Sequence, residues 1–145
     1  MSVTVTGMKD LQKALKQFPK NVQKNICVGA TRAVASEIAK DAKQHAPVRS
    51  GDLKRSIKVV KRKTRDESKI RFSIGAGGKI KWKVKGEQNS AIPYYAHMVE
   101  FGTSKMAAQP FMRPAFEGQG PKGIKFYKDY AGKRIDKEIA KAKNG

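Results

Sequence analysis

The sequence predicts an α+β fold: a small antiparallel sheet of three to four strands packed on a long amphipathic helix, with further short helices and a basic C-terminal helix. Three observations predict it. From about residue 21 to 45 the apolar positions Val22, Ile26, Ala30, Ala33, Val34, Ile38 and Ala42 trace one helical stripe, with Lys24, Arg32, Lys40 and Lys43 mostly elsewhere. Between residues 57 and 85, three short segments are separated by polar or glycine-rich turns, as strands are. From about residue 123 to 143, Ile124, Tyr127, Ala131, Ile135 and Ile139 form a narrow helical stripe in a lysine-rich segment. At 145 residues the chain suits one core rather than two, so 1–145 is read as a single domain. Its parts are an N-terminal strand and helices at 1–45, a sheet and anchor loop at 46–115, and the basic helix at 116–145.

Taken in order, Val3 and Val5 alternate with threonines as a short strand that Gly7 closes. Met8, Leu11, Leu15 and Phe18 then recur at helical spacing, and Pro19 separates this helix from the long one. Gly29 costs ~1 kcal/mol relative to alanine unless something packs closely on it, so it marks an approach of sheet or helix. Pro47 ends the long helix, and Ser50 reads as the cap of a short one, with Asp52 in its first turn and Leu53 and Ile57 inward. Residues 57–63, 69–75 and 79–85 follow as strands of an antiparallel meander, with 64–68 and the glycine-rich 75–78 as turns. Residues 86–91 read as a loop, and 93–101 as a short helix with proline at its first turn and Gly102 as its stop.

Composition restricts partners more than fold. The formal charge is +20, from 32 Lys and Arg against 12 Asp and Glu, which points to a polyanion, an acidic protein surface or an anionic membrane. No run approaches the ~18 apolar residues of a membrane span, and the first ten residues lack the pattern of a signal peptide, so no membrane role is expected. The single cysteine, Cys27, excludes an internal disulfide and a multi-cysteine metal site and reads as core filler.

Reactive groups are sparse, and no catalytic residue, cofactor or metal is predicted. His97 and Glu100, three apart on a helix, can be drawn as a base and its orienter; the plainer reading is a helix-surface pair. A small ribonuclease using His97, Glu100 and a tyrosine is the enzymatic alternative. His45 sits at a helix C-terminus, where imidazoles interact with free carbonyls. The stretch 75–78 does not open a helix as a phosphate-binding loop does.

Residues 54–85 carry thirteen Lys or Arg against two acids. Within them Lys79, Lys81, Lys83 and Lys85 alternate with Ile80, Trp82 and Val84, which makes one strand face buried and the other a row of ammonium groups. Trp82 falls opposite the lysines and reads as core. The row itself suits a solvated face, contact with DNA, an acidic-partner dock, or a guard against edge pairing.

Residues 93–115, PYYAHMVEFGTSKMAAQPFMRPA, differ sharply: they hold four of the eleven aromatics and only Lys105 and Arg113 as cations. Together with residues 46–57, APVRSGDLKRSI, this run resembles the head-tail neck and tail-component family of long-tailed lambdoid bacteriophages, itself distantly similar to the minor tail protein Z of phage lambda. The resemblance covers most of the chain in order. It implies a structural virion protein of the siphovirus neck or tail, without catalysis, that completes the head-tail connection as a homo-oligomeric ring around the DNA channel. It implies assembly in the host cytoplasm and neighbours such as head-closure and tail-terminator proteins, while contact with genomic DNA is one use open to the Lys79, Lys81, Lys83 and Lys85 row. Interface residues under this reading are Arg49, Leu53, Tyr95, Glu100, Phe101, Pro110, Phe111, Met112 and Arg113.

The chemistry of the second motif fits such a role. Gly102 breaks the helix, Pro110 and Pro114 hold the next segment extended, and Phe111 and Met112 offer anchors for a pocket in the same or a neighbouring subunit. Arg113 can pair with Glu100 or with an acid across an interface. Residues 106–109 lack the proline expected after Lys105, which leaves that loop freer. The alternative function is a standalone basic nucleic-acid-binding protein.

Overall fold

The computed structural model describes residues 7–48, 51–91 and 93–144. The strand expected at Val3 and Val5 lies outside the described residues, and the N-cap of the short helix is Gly51 at φ 80°, without a side-chain cap, not the serine expected at position 50. In chain order the elements are α1 (Met8–Lys16), α2 (Lys20–His45), α3 (Asp52–Ser56), β1 (Lys58–Arg62), β2 (Arg71–Gly75), β3 (Ile80–Val84), β4 (Glu87–Ala91), α4 (Ala96–Phe101) and α5 (Met112–Asn144). The class is α+β, as the sequence predicts.

Two compact units share the chain. One comprises the described residues up to Val34, Arg62–Arg71, and those from Lys122 onward; the other comprises the described residues of Ala35–Lys61 and Phe72–Pro121. In the first unit, Leu11 and Ala14 of α1, Ile26 and Ala30 of α2, and Ala131 and Ile135 of α5 form a buried cluster. Leu15, Phe18, Val22, Tyr127 and Ile139 pack around it. Gly29 has the close neighbour its sequence cost predicts: a Cβ there would lie 2.6 Å from the Tyr130 hydroxyl oxygen of α5. Burial first, and then the hydrogen bond with Cys27, push the Tyr127 phenol above its ordinary range.

In the second unit, α2 buries Ala35, Ile38, Ala39 and Ala42, and Leu53 and Ile57 turn inward beside α3. Ser56 is buried but satisfied. Its hydroxyl donates to the Leu53 carbonyl at 2.6 Å and accepts the Gly77 N–H at 3.0 Å, pinning the glycine-rich segment.

The sheet differs from the expected meander. β1 pairs with β2 and β3 with β4, so there are two two-stranded sheets. The glycine-rich stretch is therefore a connector rather than a hairpin turn. Gly77 has φ +86°, and a Cβ there would lie 3.2 Å from both the Ala96 Cβ and the Pro93 carbonyl oxygen. The real second hairpin turn is Lys85–Gly86, both at positive φ (50° and 86°), which matches the twist of the flanking strands. It sets an antiparallel register from Val84↔Glu87 to Ile80↔Ala91 and makes a strand of residues expected as loop. β4 reads EQNSA, without apolar alternation, so only its partner and turn make it a strand. The side chains of Ile80, Trp82, Lys83 and Val84, on which the expected two-faced alternation rests, lie outside the described residues.

Two helix boundaries are corrected. Pro93 precedes α4 rather than starting it, its carbonyl accepting the Ala96 N–H at 3.2 Å. The last helix begins at Met112, not near residue 123. Pro114 therefore lies in a first helical turn, where a missing N–H costs nothing, rather than in an extended loop. The helix runs through Gly118, Gly120, Pro121 and Gly123, and of these glycines only Gly123 has a close neighbour on α2. A Cβ on Gly123 would lie 3.2 Å from Val34 Cγ1, and one on Gly118 3.8 Å from Asp41 Oδ2.

Candidate functional site

The site is built on α4 and the loop that follows it. Ala96 and Val99 face inward along this six-residue helix, which ends at Gly102. Gly102 sits at φ +75°, ψ 175°, and its N–H donates to the Met98 carbonyl at 2.7 Å. A side chain cannot replace its hydrogen, because a Cβ would meet the Ala108 nitrogen at 2.8 Å and the Met106 carbonyl oxygen at 3.0 Å. The chain then doubles back. Thr103 and Met106 exchange backbone hydrogen bonds at 2.9 and 3.3 Å, and the Gln109 N–H donates to the Val99 carbonyl at 2.8 Å.

This return brings the start of α5 onto Glu100. The Glu100 carboxylate accepts three backbone N–H groups, from Phe111 at 2.8 Å, Met112 at 2.9 Å and Arg113 at 3.0 Å. The first amides of a helix have no partners within it, and the helix dipole favours an anion there. Glu100 is thus the N-terminal cap of α5, delivered from another helix. Burial acts to raise its pKa, but the three N–H bonds and the charge of Arg113 outweigh that and hold the carboxyl below its usual value. Arg113 meets Glu100 through its backbone. Its guanidinium lies 3.8 Å from Glu117, and both side chains are largely exposed.

The expected site residues separate by depth. Leu53 and Phe111 are 3% and 1% exposed, in the core of their own chain. Tyr95 and Met112 are half-buried, Tyr95 in an edge-to-face contact with Tyr94 at 6.0 Å. Pro110 and Arg113 are exposed, and Phe101 is bare at 81%. Arg49 lies outside the described residues. Two hollows adjoin α4. One, of about 580 Å³, is lined by residues including His97, Phe101, Pro110 and Phe116; the other, of about 410 Å³, by residues including Pro47, Tyr95, Met98 and Met106. Met98, Met106 and Phe116 are surface residues that sequence periodicity does not single out, since it assigns apolar side chains to cores.

The remaining candidates fall elsewhere. Both Glu100 oxygens face α5 amides, so Glu100 does not orient the exposed His97 as a base would require. His45 Nδ1 donates to the Asp41 carbonyl at 2.9 Å, a helix-end role. Lys79, Lys81 and Lys85 are exposed; Lys81 and Lys83 stand opposite Ser90 and Gln88 in the register. Among the described residues no three His, Cys, Asp or Glu side chains are grouped to hold a metal, and no helix is long and apolar enough to cross a membrane.

Residues 9–102 match the HK97-gp10-like family model, described as "Bacteriophage HK97-gp10, putative tail-component". The match takes in the P-V-R-S-G-D-L motif and ends on Gly102, so the P-F-M-R-P-A motif follows it. No curated protein and no solved structure matches the chain.

Proposed function

The chain belongs to the HK97-gp10-like family of bacteriophage tail components, and on that premise we propose that it is a structural protein of the virion, a ring of identical copies that completes the head-tail connection. The observation that carries the reading is Phe101, 81% exposed on a backbone fixed between Glu100 and Gly102. An exposed aromatic on a rigid support loses little entropy when a partner covers it, and such residues dominate binding energy at interfaces. Phe101, Pro110, Met112, Arg113 and Tyr95 form the contact surface in this reading; Arg49 belongs to it by motif. Glu100, Leu53 and Phe111 hold that surface from beneath. Head-closure and tail-terminator proteins are the neighbours, and genomic DNA passes through the ring.

Imaging of virions by cryo-electron microscopy tests the placement: density for this chain is expected at the head-tail junction, and its absence there and along the tail would overturn the proposal. Phe101→Asp should leave the purified protein folded, with stability within about 0.5 kcal/mol of the parent as for surface changes generally, yet abolish its incorporation into particles.

A second reading, a standalone nucleic-acid-binding protein, is favoured by the +20 charge and by exposed Lys79, Lys81 and Lys85. In that case infectious particles should assemble without the chain.

A further inference from the structure

A second basic segment lies at the end of the first hairpin, apart from the Lys79 to Lys85 row. β1 and β2 are joined by eight residues, too few for a parallel crossover, so they form a hairpin. Its tip, residues 62–71, carries Arg62, Lys63, Arg65, Lys69 and Arg71 against Asp66 and Glu67.

The acid at the centre of the tip is used up internally. Asp66 Oδ1 accepts the Ser68 N–H at 2.9 Å and the Ser68 hydroxyl at 2.6 Å, and Oδ2 lies 3.5 Å from Lys69 Nζ. The Thr64 hydroxyl lies 2.9 Å from both the Asp66 and Lys69 carbonyl oxygens, which share its single proton. Together these bonds shape the turn without drawing on Lys63, Arg65 or Arg71. Those three are exposed and make no ion pair among the described residues.

What such a tip can bind follows from what it lacks. A protein interface is built around apolar or aromatic anchors and is depleted of charge at its centre, whereas every exposed side chain from Lys61 to Lys69 is charged or hydroxyl-bearing. Single-stranded nucleic acid is held by stacking on aromatic rings, and the tip has none. No Asn or Gln, the usual partners of adenine, occurs in it. Cations without an apolar or aromatic anchor remain, which is the chemistry of phosphate contact. We propose that residues 62–71 bind the phosphate backbone of duplex DNA without regard to sequence, through Lys63, Arg65 and Arg71.

The proposal goes beyond the virion reading and rests on the hairpin's own residues. Virion imaging can fail while the tip binds DNA, and the reverse also holds. The test is fluorescence anisotropy of the full-length protein on a labelled duplex of arbitrary sequence, titrated with salt. Each phosphate contact contributes about 0.9 to the slope of log affinity against log salt, so the Lys63→Gln, Arg65→Gln, Arg71→Gln triple variant should lower that slope by about 2 to 3. Its affinity should fall about tenfold or more at low salt, with unchanged Tm. A control triple, Lys9→Gln, Lys13→Gln and Lys16→Gln on the exposed side of α1, removes the same charge and should leave the slope close to that of the parent. Equal losses in both triples would show binding by net charge alone and overturn the proposal. So would a parent protein that ignores duplex DNA but binds polyglutamate, the mark of an acidic protein partner.

Discussion

Two loops of this chain are each held by one carboxylate, and they are held over different ranges. Glu100 takes N–H groups from residues eleven to thirteen positions further on, tying α4 to the start of α5. Asp66 takes its bonds from Ser68, two positions on, and pairs with Lys69, three on. The first closes a tertiary junction over a buried Phe111; the second only shapes a turn. Where the brace is long-range, apolar surface is fixed in place around it. Where it is local, the outer surface is left to charge.

The contrast is tested hardest beneath the long-range brace. Phe111 is the largest fully buried side chain among the described residues, and Phe111→Ala should cost about 3–5 kcal/mol, lowering Tm by about 10 °C for a chain of this size. Gly102→Ala comes next. It puts a side chain at a positive φ, where backbone atoms already stand within 3.0 Å of a Cβ, and should cost about 3 kcal/mol. Calorimetry of both variants decides the matter; a Gly102→Ala protein as stable as the parent would mean that the return loop is not fixed as described.

How much of this was legible in the sequence depends on range in the same way. The extent of α2, the break at Pro19 and the stop at Gly102 follow from local spacing and backbone chemistry, and the structure has them where the residues predict. The Glu100 cap was not legible, because nothing in the local pattern says which amides a carboxylate will meet thirteen residues later. Arg113 drew the expectation of an ion pair with Glu100, and its backbone N–H makes the contact instead. β4 was missed for a related reason, its strand state being imposed by the Lys85–Gly86 turn rather than by its own residues. The long α5 was hidden by Gly118, Gly120, Pro121 and Gly123, residues that local pattern reads as helix breakers.

Glu100→Gln should have a middling effect. The amide keeps one acceptor but loses the charge that complements three helix-end N–H groups, a loss of about 1–2 kcal/mol at neutral pH. The sign with pH follows from the lowered folded pKa. The stabilisation is complete above the unfolded value of about 4.5 and disappears as pH falls through the folded one. Stability curves of parent and variant should therefore draw together as pH falls below the unfolded value. A gap that stays constant to pH 3 would mean the charge of Glu100 contributes nothing.

The smallest effect belongs to Asp66→Asn. Its pKa is lowered by the hydroxyl and N–H of Ser68, with a lesser pull from Lys69, so its contribution has the same sign with pH as that of Glu100. The group is half-exposed, however, and its partners belong to the same turn. An asparagine oxygen still accepts from Ser68, so the turn survives and Tm should shift less than in Glu100→Gln. Charge is the readout that should move, since removing the central acid of the tip leaves Lys69 without its carboxylate partner. Duplex affinity at low salt should rise in Asp66→Asn and stay level in Glu100→Gln. If instead the Asp66 change destabilises the protein as much as the Glu100 change does, the tip is a tertiary junction too, and the distinction between a bracing carboxylate and a shaping one fails.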